Sequence, residues 1–364
     1  MSDTREMLED TVTRLLGEKV THALLTDAES GRWPADLWRA VEDHGLTRTH
    51  VPEVLGGAGC GWGEAFAVLR AAGRHAVPLP LAETVLGAWL LAAAGIEAPA
   101  GPLTVLADPV PEGALSGSRS GNGSGDRFTH RASRVPWGFA AGHAVFTTER
   151  GGRTHVGVVA TKGGLAARGE NLAREPRDEM AFEDAPVIAL GSTALPADAV
   201  RLFGAMIRSA QMAGAVGALL THAVRYAGER VQFGRPIGKF QAIQQELARL
   251  AGEAAASGVA AEAAFAAADR AAPEPGAWIA DADPSFEIAV AKVRACEAAE
   301  IAPAIAHQVH GAIGFTYEHT LHFLTRRLWS WRSEFGTGNE WARRLGRHTL
   351  ALGADGLWPH VTSR

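Results

Sequence analysis

A chain of 364 residues, 47% hydrophobic and 21% charged, has the length for two or three structural units and can bury a large core. Lys and Arg number 35 against 40 Asp and Glu, a formal charge of −5 with no basic tail, which excludes nucleic-acid binding through a general electrostatic footprint. The two cysteines, Cys60 and Cys296, lie far apart and outside any CxxC. That spacing excludes a disulfide framework or a Cys-based zinc site and fits a reducing cytosol.

The opening stretch MSDTREMLEDTVTRLLG is charged and amphipathic and lacks the apolar core of a signal peptide, so a cytoplasmic location is expected. Up to about Gly95, apolar residues recur at helical spacing, as in Leu8, Val12, Leu15 and Leu16, then Leu37, Trp38 and Val41. RWP, VPEVLGGAGCG and AVPLP break the pattern into short helices. VLGAWLLAAAG (Val85 to Gly95) is too short to span a bilayer and reads as a buried helix; no membrane association is expected.

Between about Pro102 and Val200 the texture turns to β. LTVLA, FTHRASRV, HAVFTT and THVGVVAT are short β-rich runs, and SGSRSGNGSGD (Ser116 to Asp126) is a flexible loop by composition. Long helical patterns then return: Arg201 to Arg230, Phe240 to Ala272, Pro284 to His310, and Leu321 to Leu352. Pro273, Pro275 and Pro284 mark one connection among them. The predicted fold is mostly α with a central β unit: a helical domain over residues 1–100, a small β domain over 101–197, and an antiparallel helical bundle over 198–364.

ERVQFGRPIGKFQAIQQELARL (Glu229 to Leu250) places an Arg, an aromatic and two glycines ahead of a helix. Two readings stand. A helix N-terminus with Arg230 beside it suits a pyrophosphate, Phe233 can cover a ring, and Gln241 and Gln244 can bond polar edges. Alternatively it is a plain helix connection whose Arg pairs with Glu229. In HQVHGAIGFTYEHTLHFLTRR (His307 to Arg327), Gly311 and Gly314 permit close backbone approach to a ligand. His307, His310, His319 and His322 lack the Glu of a HExxH site, so no metal is assigned and a surface or interface role is expected.

Together these segments resemble the C-terminal domain of the acyl-CoA dehydrogenase family. RVQFGRPIGKFQAIQ is similar to its R-x-x-F-G-x-x-[IL]-x-x-[FHN]-Q element, and QVHGAIGFTYEH to its Q-x-x-G-[GA]-x-G-[FY] element. WPADLWRAVEDHGLTRTHVPEVLGGAGCG, GRHAVPLPLAET and SRVPWGFAAGHAVFT resemble further family segments, the second of them from the branch acting on bulky or steroid-derived CoA esters. The resemblance implies an N-terminal helical domain, a small β-barrel and a C-terminal four-helix bundle. It implies FAD, whose adenosine half would be held by Arg230, Gln232, Phe233, Gln241, Gln308, Val309, Gly311 and Gly314, with Thr337 as a further contact. It also implies an acyl-CoA substrate and an electron acceptor such as electron-transfer flavoprotein.

The family reaction needs a carboxylate base to take a proton beside the thioester. In RRLWSWRSEFGTGNEW, aligning the GT pair with the family's Y-E-G-T element puts Phe335 at the base position and Glu334 one residue early. The alternative base position, at the start of the first long C-terminal helix, falls on Gly204, and the neighbouring family Arg falls on Ala205. ADPVPEGALSGS stands where the family has its T-E-P-x-A-G-S-D flavin loop, without those donors. Retained adenosine-side motifs with a missing base resemble the base-lacking subunit of heteromeric, α2β2 enzymes of steroid breakdown. The expectation is therefore a heterotetramer with a homologous subunit. A self-sufficient homo-oligomer using Glu334, a scaffold without FAD, and a flavoenzyme of altered chemistry are the alternatives.

Overall fold

The computed structural model describes residues 3–117, 125–274 and 276–362, with side chains from residue 5 onward. Most of the Ser116 to Asp126 loop and Pro275 lie outside the described residues. The chain opens with helices α1 (Asp3–Lys19), α2 (His22–Glu29), α3 (Ala35–Asp43), α4 (Trp62–Arg74) and α5 (Leu81–Ala93). Every residue of α5 is buried, as expected of a helix that is apolar all round. Its Glu83 is the exception in kind, and it is paired with Arg208.

Strands follow: β1 (Leu103–Val105), β2 (Leu115–Ser116), β3 (Arg127–Pro136), β4 (His143–Arg150), β5 (Arg153–Ala160), β6 (Leu165–Ala167) and β7 (Arg177–Thr193). The order β1-β4-β5-β7-β3-β2 is an open path, with β6 on β7 and β1 parallel to β4. The β4–β5 hairpin turns through Gly151 (φ 60°) and Gly152 (φ 75°), the two positive φ values of a type I′ turn. β7 pairs with β3 as far as Pro186 and with β5 from Val187, so one strand serves both halves of the β domain. Phe128, Phe146 and Phe182 fill the space between, and Gly157 is required because a Cβ there would fall 2.4 Å from the Phe146 ring.

The C-terminal part comprises α6 (Ala199–Glu229), the hairpin β8 (Val231–Gln232) and β9 (Arg235–Pro236), α7 (Gln241–Ala271), α8 (Ser285–His310), α9 (Leu321–Trp331) and α10 (Gly338–Thr362). By length and composition α6 passes as a membrane span, but it is the buried central helix of the bundle. α4 crosses it at very close range: a Cβ on Gly73 would lie 1.9 Å from the Gln211 carbonyl oxygen, and one on Gly214 1.9 Å from that of Arg70. The helical stretch expected from Leu321 to Leu352 is two helices, α9 and α10. The first ends at Trp331, Phe335 (φ 53°) and Gly336 (φ 95°) take left-handed conformations between them, and the second starts at Gly338.

Candidate functional site

Two 31-residue helices, α6 and α7, are joined by the β8–β9 hairpin. Its two central residues, Phe233 (φ 49°) and Gly234 (φ 78°), form a type I′ turn. A bulky residue with positive φ is strained, and Phe233 gains no burial in exchange: it is 91% exposed. Arg230 sits at the C-cap of α6, and its guanidinium enters no ion pair with Glu229 or any other carboxylate among the described residues.

Beside the hairpin lies a cleft of about 570 Å³ that brings together Arg230, Gln232 and Phe233 with Gln308, Val309 and Gly311. Two segments some eighty residues apart in sequence thus line one cleft. Gly311 (φ 64°) has open space where a Cβ would stand, so its backbone is approachable by a ligand. Gly314 is buried in the 3-10 turn Gly311–Phe315, and a Cβ there would fall 3.0 Å from the His310 Cβ. Gln241 opens α7 at the edge of this region, while the Gln244 side-chain amide donates to the Gly238 carbonyl at 3.0 Å.

Thr337 is not part of this cleft. It caps α10, its backbone N–H and hydroxyl both donating to Glu340 (2.7 and 3.0 Å), and it lines a different cleft with Cys296 and Arg332. His310, for which a surface or interface role is expected from sequence, is buried at 3% exposure and stacks on Tyr226 with ring centroids 4.6 Å apart. Tyr226 and Phe240 are cleft residues that sequence reasoning missed. Tyr226 lies one helical turn before Arg230, which places both on one face of α6.

The second region is the segment between α9 and α10. Phe335 is 6% exposed and packs on Gly204 of α6, where a Cβ would fall 2.3 Å from its ring. The two positions expected to carry a base are therefore in contact with each other, and both are without a carboxylate. Glu334 points elsewhere. Its Oε1 accepts from Arg177 Nε (2.8 Å) and Asn171 Nδ2 (3.2 Å), and its Oε2 from Arg208 Nε (2.7 Å).

These contacts belong to a buried chain of alternating charges that joins all three parts of the fold. It runs from Glu83 through Arg208, Glu334, Arg177 and Glu175 to Arg327, with each side chain at most 8% exposed. Burial pushes the Glu334 carboxyl up, but Arg177 and Arg208 outweigh it and hold its pKa down at about 2. A base needs the opposite, a carboxylate with a free lone pair and a pKa near the working pH. Behind the segment, the ammonium of Lys292 donates to the Trp331 carbonyl at 2.7 Å and caps the end of α9. Burial lowers its pKa to about 8.

Residues 2–99 match the acyl-CoA dehydrogenase N-terminal domain and residues 203–349 the acyl-CoA dehydrogenase C-terminal domain. Acyl-CoA dehydrogenase IpdE2 of Mycobacterium tuberculosis is 31% identical over 348 residues, which cover 94% of this chain and 96% of that protein. Among solved structures, a variant of the Tcur3481-Tcur3483 steroid ACAD superposes with a TM-score of 0.79 at 26% identity, covering 97% of this chain and 99% of that one. The ChsE4-ChsE5 complex from Mycobacterium tuberculosis shares the fold, with a TM-score of 0.82 at 24% identity over 96% of this chain and 98% of that one. The two matched domains, the full-length relative and the shared architecture place this chain in the acyl-CoA dehydrogenase family.

Proposed function

We propose that this chain is the base-lacking subunit of a heteromeric FAD-dependent acyl-CoA dehydrogenase, acting on a steroid-derived or similarly bulky CoA ester. The observation that carries the proposal is the contact between Gly204 and Phe335, together with the ion-paired state of Glu334. Proton abstraction beside a thioester requires a positioned, unpaired acceptor, and these positions offer none. The base then comes from a homologous partner chain.

The residues present fit the adenosine half of FAD. Arg230 is free of ion pairs among the described residues, Gly311 leaves open space beside its backbone, and the cleft between them holds about 570 Å³. Arg230 would fork onto a phosphate, Phe233 would cover a ring face, and Gln308 would bond a polar edge. When bound, FAD supplies the hydride acceptor for the α,β-dehydrogenation. This chain's part is to bind and orient the cofactor from the side. The names of two neighbours in the same fold, a steroid ACAD built of two differently named chains and the ChsE4-ChsE5 complex, support a partner of this kind. An electron-transfer flavoprotein remains the electron acceptor the family reading implies.

The test is to purify the chain alone and after co-expression with its gene neighbour, and to record flavin absorbance for each. Yellow protein only on co-expression is the expected result. Stoichiometric FAD in the chain alone, with dehydrogenase activity that Glu334→Gln abolishes in a stably folded protein, would overturn the proposal. Colourless protein in both samples would overturn it in favour of a scaffold.

A further inference from the structure

A separate cleft of about 340 Å³ lies where α2, the turn after Trp137 and the 168–178 segment meet. Three aromatic side chains, Trp33, Trp137 and Phe139, form its apolar surface, and Arg32, Arg168 and Arg174 stand around it. Trp33 and Trp137 meet edge to face at 6.3 Å, and the Arg168 guanidinium lies 4.4 Å from the centre of the Phe139 ring. A guanidinium stacked on an aromatic face keeps its N–H groups pointing sideways, where they are available to an anion.

Two of these arginines, Arg168 and Arg174, enter no ion pair among the described residues. Glu29 is paired with Arg326, and the Asp178 carboxylate accepts from the backbone N–H of Phe139 (2.9 Å) and Gly169 (3.3 Å). Arg32 meets Asp27 on the exposed rim at 2.7 Å, and Arg174 has no carboxylate partner among the described residues. Glu170 and the buried Asp178 balance Arg168 and Arg174 in formal charge, but on the exposed rim two guanidiniums without ion pairs face the single carboxylate of Glu170.

Two residues of the cleft also hold backbone conformations that L side chains rarely adopt: Trp137 at φ 56° and Arg174 at φ 58°. Both are held by hydrogen bonds. Trp137 donates to the Pro176 carbonyl at 3.1 Å and accepts from Ala140 and Ala141. The turn carrying Arg174 is tied by Asn171 Oδ1, which accepts from the N–H groups of Ala173 (2.9 Å) and Glu175 (3.1 Å). Strain of this kind, fixed on both sides of one cleft, is a mark of ligand clamps.

We infer that this cleft between the N-terminal helices and the β domain is a second binding site, for a planar heteroaromatic ring bearing phosphate, of purine-mononucleotide size. The ring would take the aromatic surface, and the phosphate would take the arginine forks. A volume of about 340 Å³ falls at the lower end of the range of small-molecule sites.

The experiment is calorimetric titration of the full chain with AMP and with 3′,5′-ADP, in wild type and in Arg230→Ala, because the adenosine-side cleft is a competing site for either probe. Saturable binding that survives Arg230→Ala and weakens at least tenfold in both Arg168→Ala and Arg174→Ala is the expected result, with circular dichroism matched across variants. A tenfold preference for 3′,5′-ADP would mark the nucleotide end of coenzyme A as the natural source; equal or better binding of AMP would mark a free nucleotide. Absence of saturable binding in Arg230→Ala, or binding indifferent to both arginine substitutions, would overturn the inference. Trp33→Leu gives an independent check, since it removes ring contact while leaving the charge in place; unchanged affinity in that variant would count against the site.

Discussion

Gly204 and Phe335 occupy a single volume between them: the hydrogen that glycine carries in place of a side chain is what leaves room for the ring, whose nearest atom lies 2.3 Å from where a Cβ would be. Gly204→Ala should therefore destabilise the chain by about 1–3 kcal/mol through overpacking. Combining it with Phe335→Leu should recover part of that loss, with a coupling of roughly 0.5–3 kcal/mol in a double-mutant cycle followed by urea unfolding. Additive losses would mean the two positions do not share space.

Glu334→Gln separates a structural carboxylate from a catalytic one. Removing the charge leaves Arg177 and Arg208 buried without their shared partner, a change that costs about 3–5 kcal/mol in comparable buried pairs. The expected outcome is a large drop in the urea midpoint. A midpoint near wild type, with turnover lost, would identify Glu334 as the base instead.

Arg230→Ala should reduce FAD retention in the assembled enzyme and leave the helical signal unchanged. A charge-assisted hydrogen bond contributes roughly 1.5–3 kcal/mol, which corresponds to about a ten- to hundredfold rise in Kd. Flavin content measured after gel filtration reads this directly. Unchanged content would remove Arg230 from the cofactor site.

Acid sensitivity should come from histidine before it comes from carboxylate. His50 packs 4.1 Å from Trp62 with neither ring nitrogen hydrogen-bonded, and burial pushes its pKa from 6.5 down to about 3. A folded pKa below the unfolded one means that the unfolded chain binds the extra proton. The stabilising contribution is whole above about pH 6.5 and shrinks as pH falls toward 3. At pH 5 the loss from His50 is about 2 kcal/mol. His222 acts in the same direction, lowered to about 4 by burial and then by Arg225, His319, His310 and Arg74. Glu334, held at about 2, loses its contribution only below about pH 4.5. Unfolding free energies measured between pH 7.5 and 5 should slope downward in wild type and less steeply in His50→Phe; an identical slope would assign the effect elsewhere.

Long uniform patterns were legible in the sequence, and irregular backbone was not. The α5 helix follows from residues that are apolar nearly all round, α6 from its long apolar run, and β4 and β5 from short β-branched runs. β7, the longest strand, was not singled out because it changes partner at Pro186 and Val187, so neither of its faces keeps one environment throughout. The pairing of Arg230 with Gln308 and Gly311 across one cleft was readable from two motifs. The burial of Glu334 was not, because its partners Arg177 and Arg208 come from a strand and a helix far away in sequence. Nor does anything local announce that Phe335, between α9 and α10, takes a left-handed conformation and packs its ring onto Gly204.

The β8–β9 hairpin is a short connection: each of its ends continues directly into a helix or a 3-10 turn, and its tip is a two-residue turn. The distance from Arg230 to Gln308 is therefore set by how α6 and α8 pack over their whole length, including the glycine crossing with α4 at the middle of α6. A substitution anywhere along that seam that rotates α6 by a fraction of a turn would widen or close the cleft at its far end. Bound flavin would then behave as a gauge of the bundle's alignment, fading in colour before the protein loses any helix.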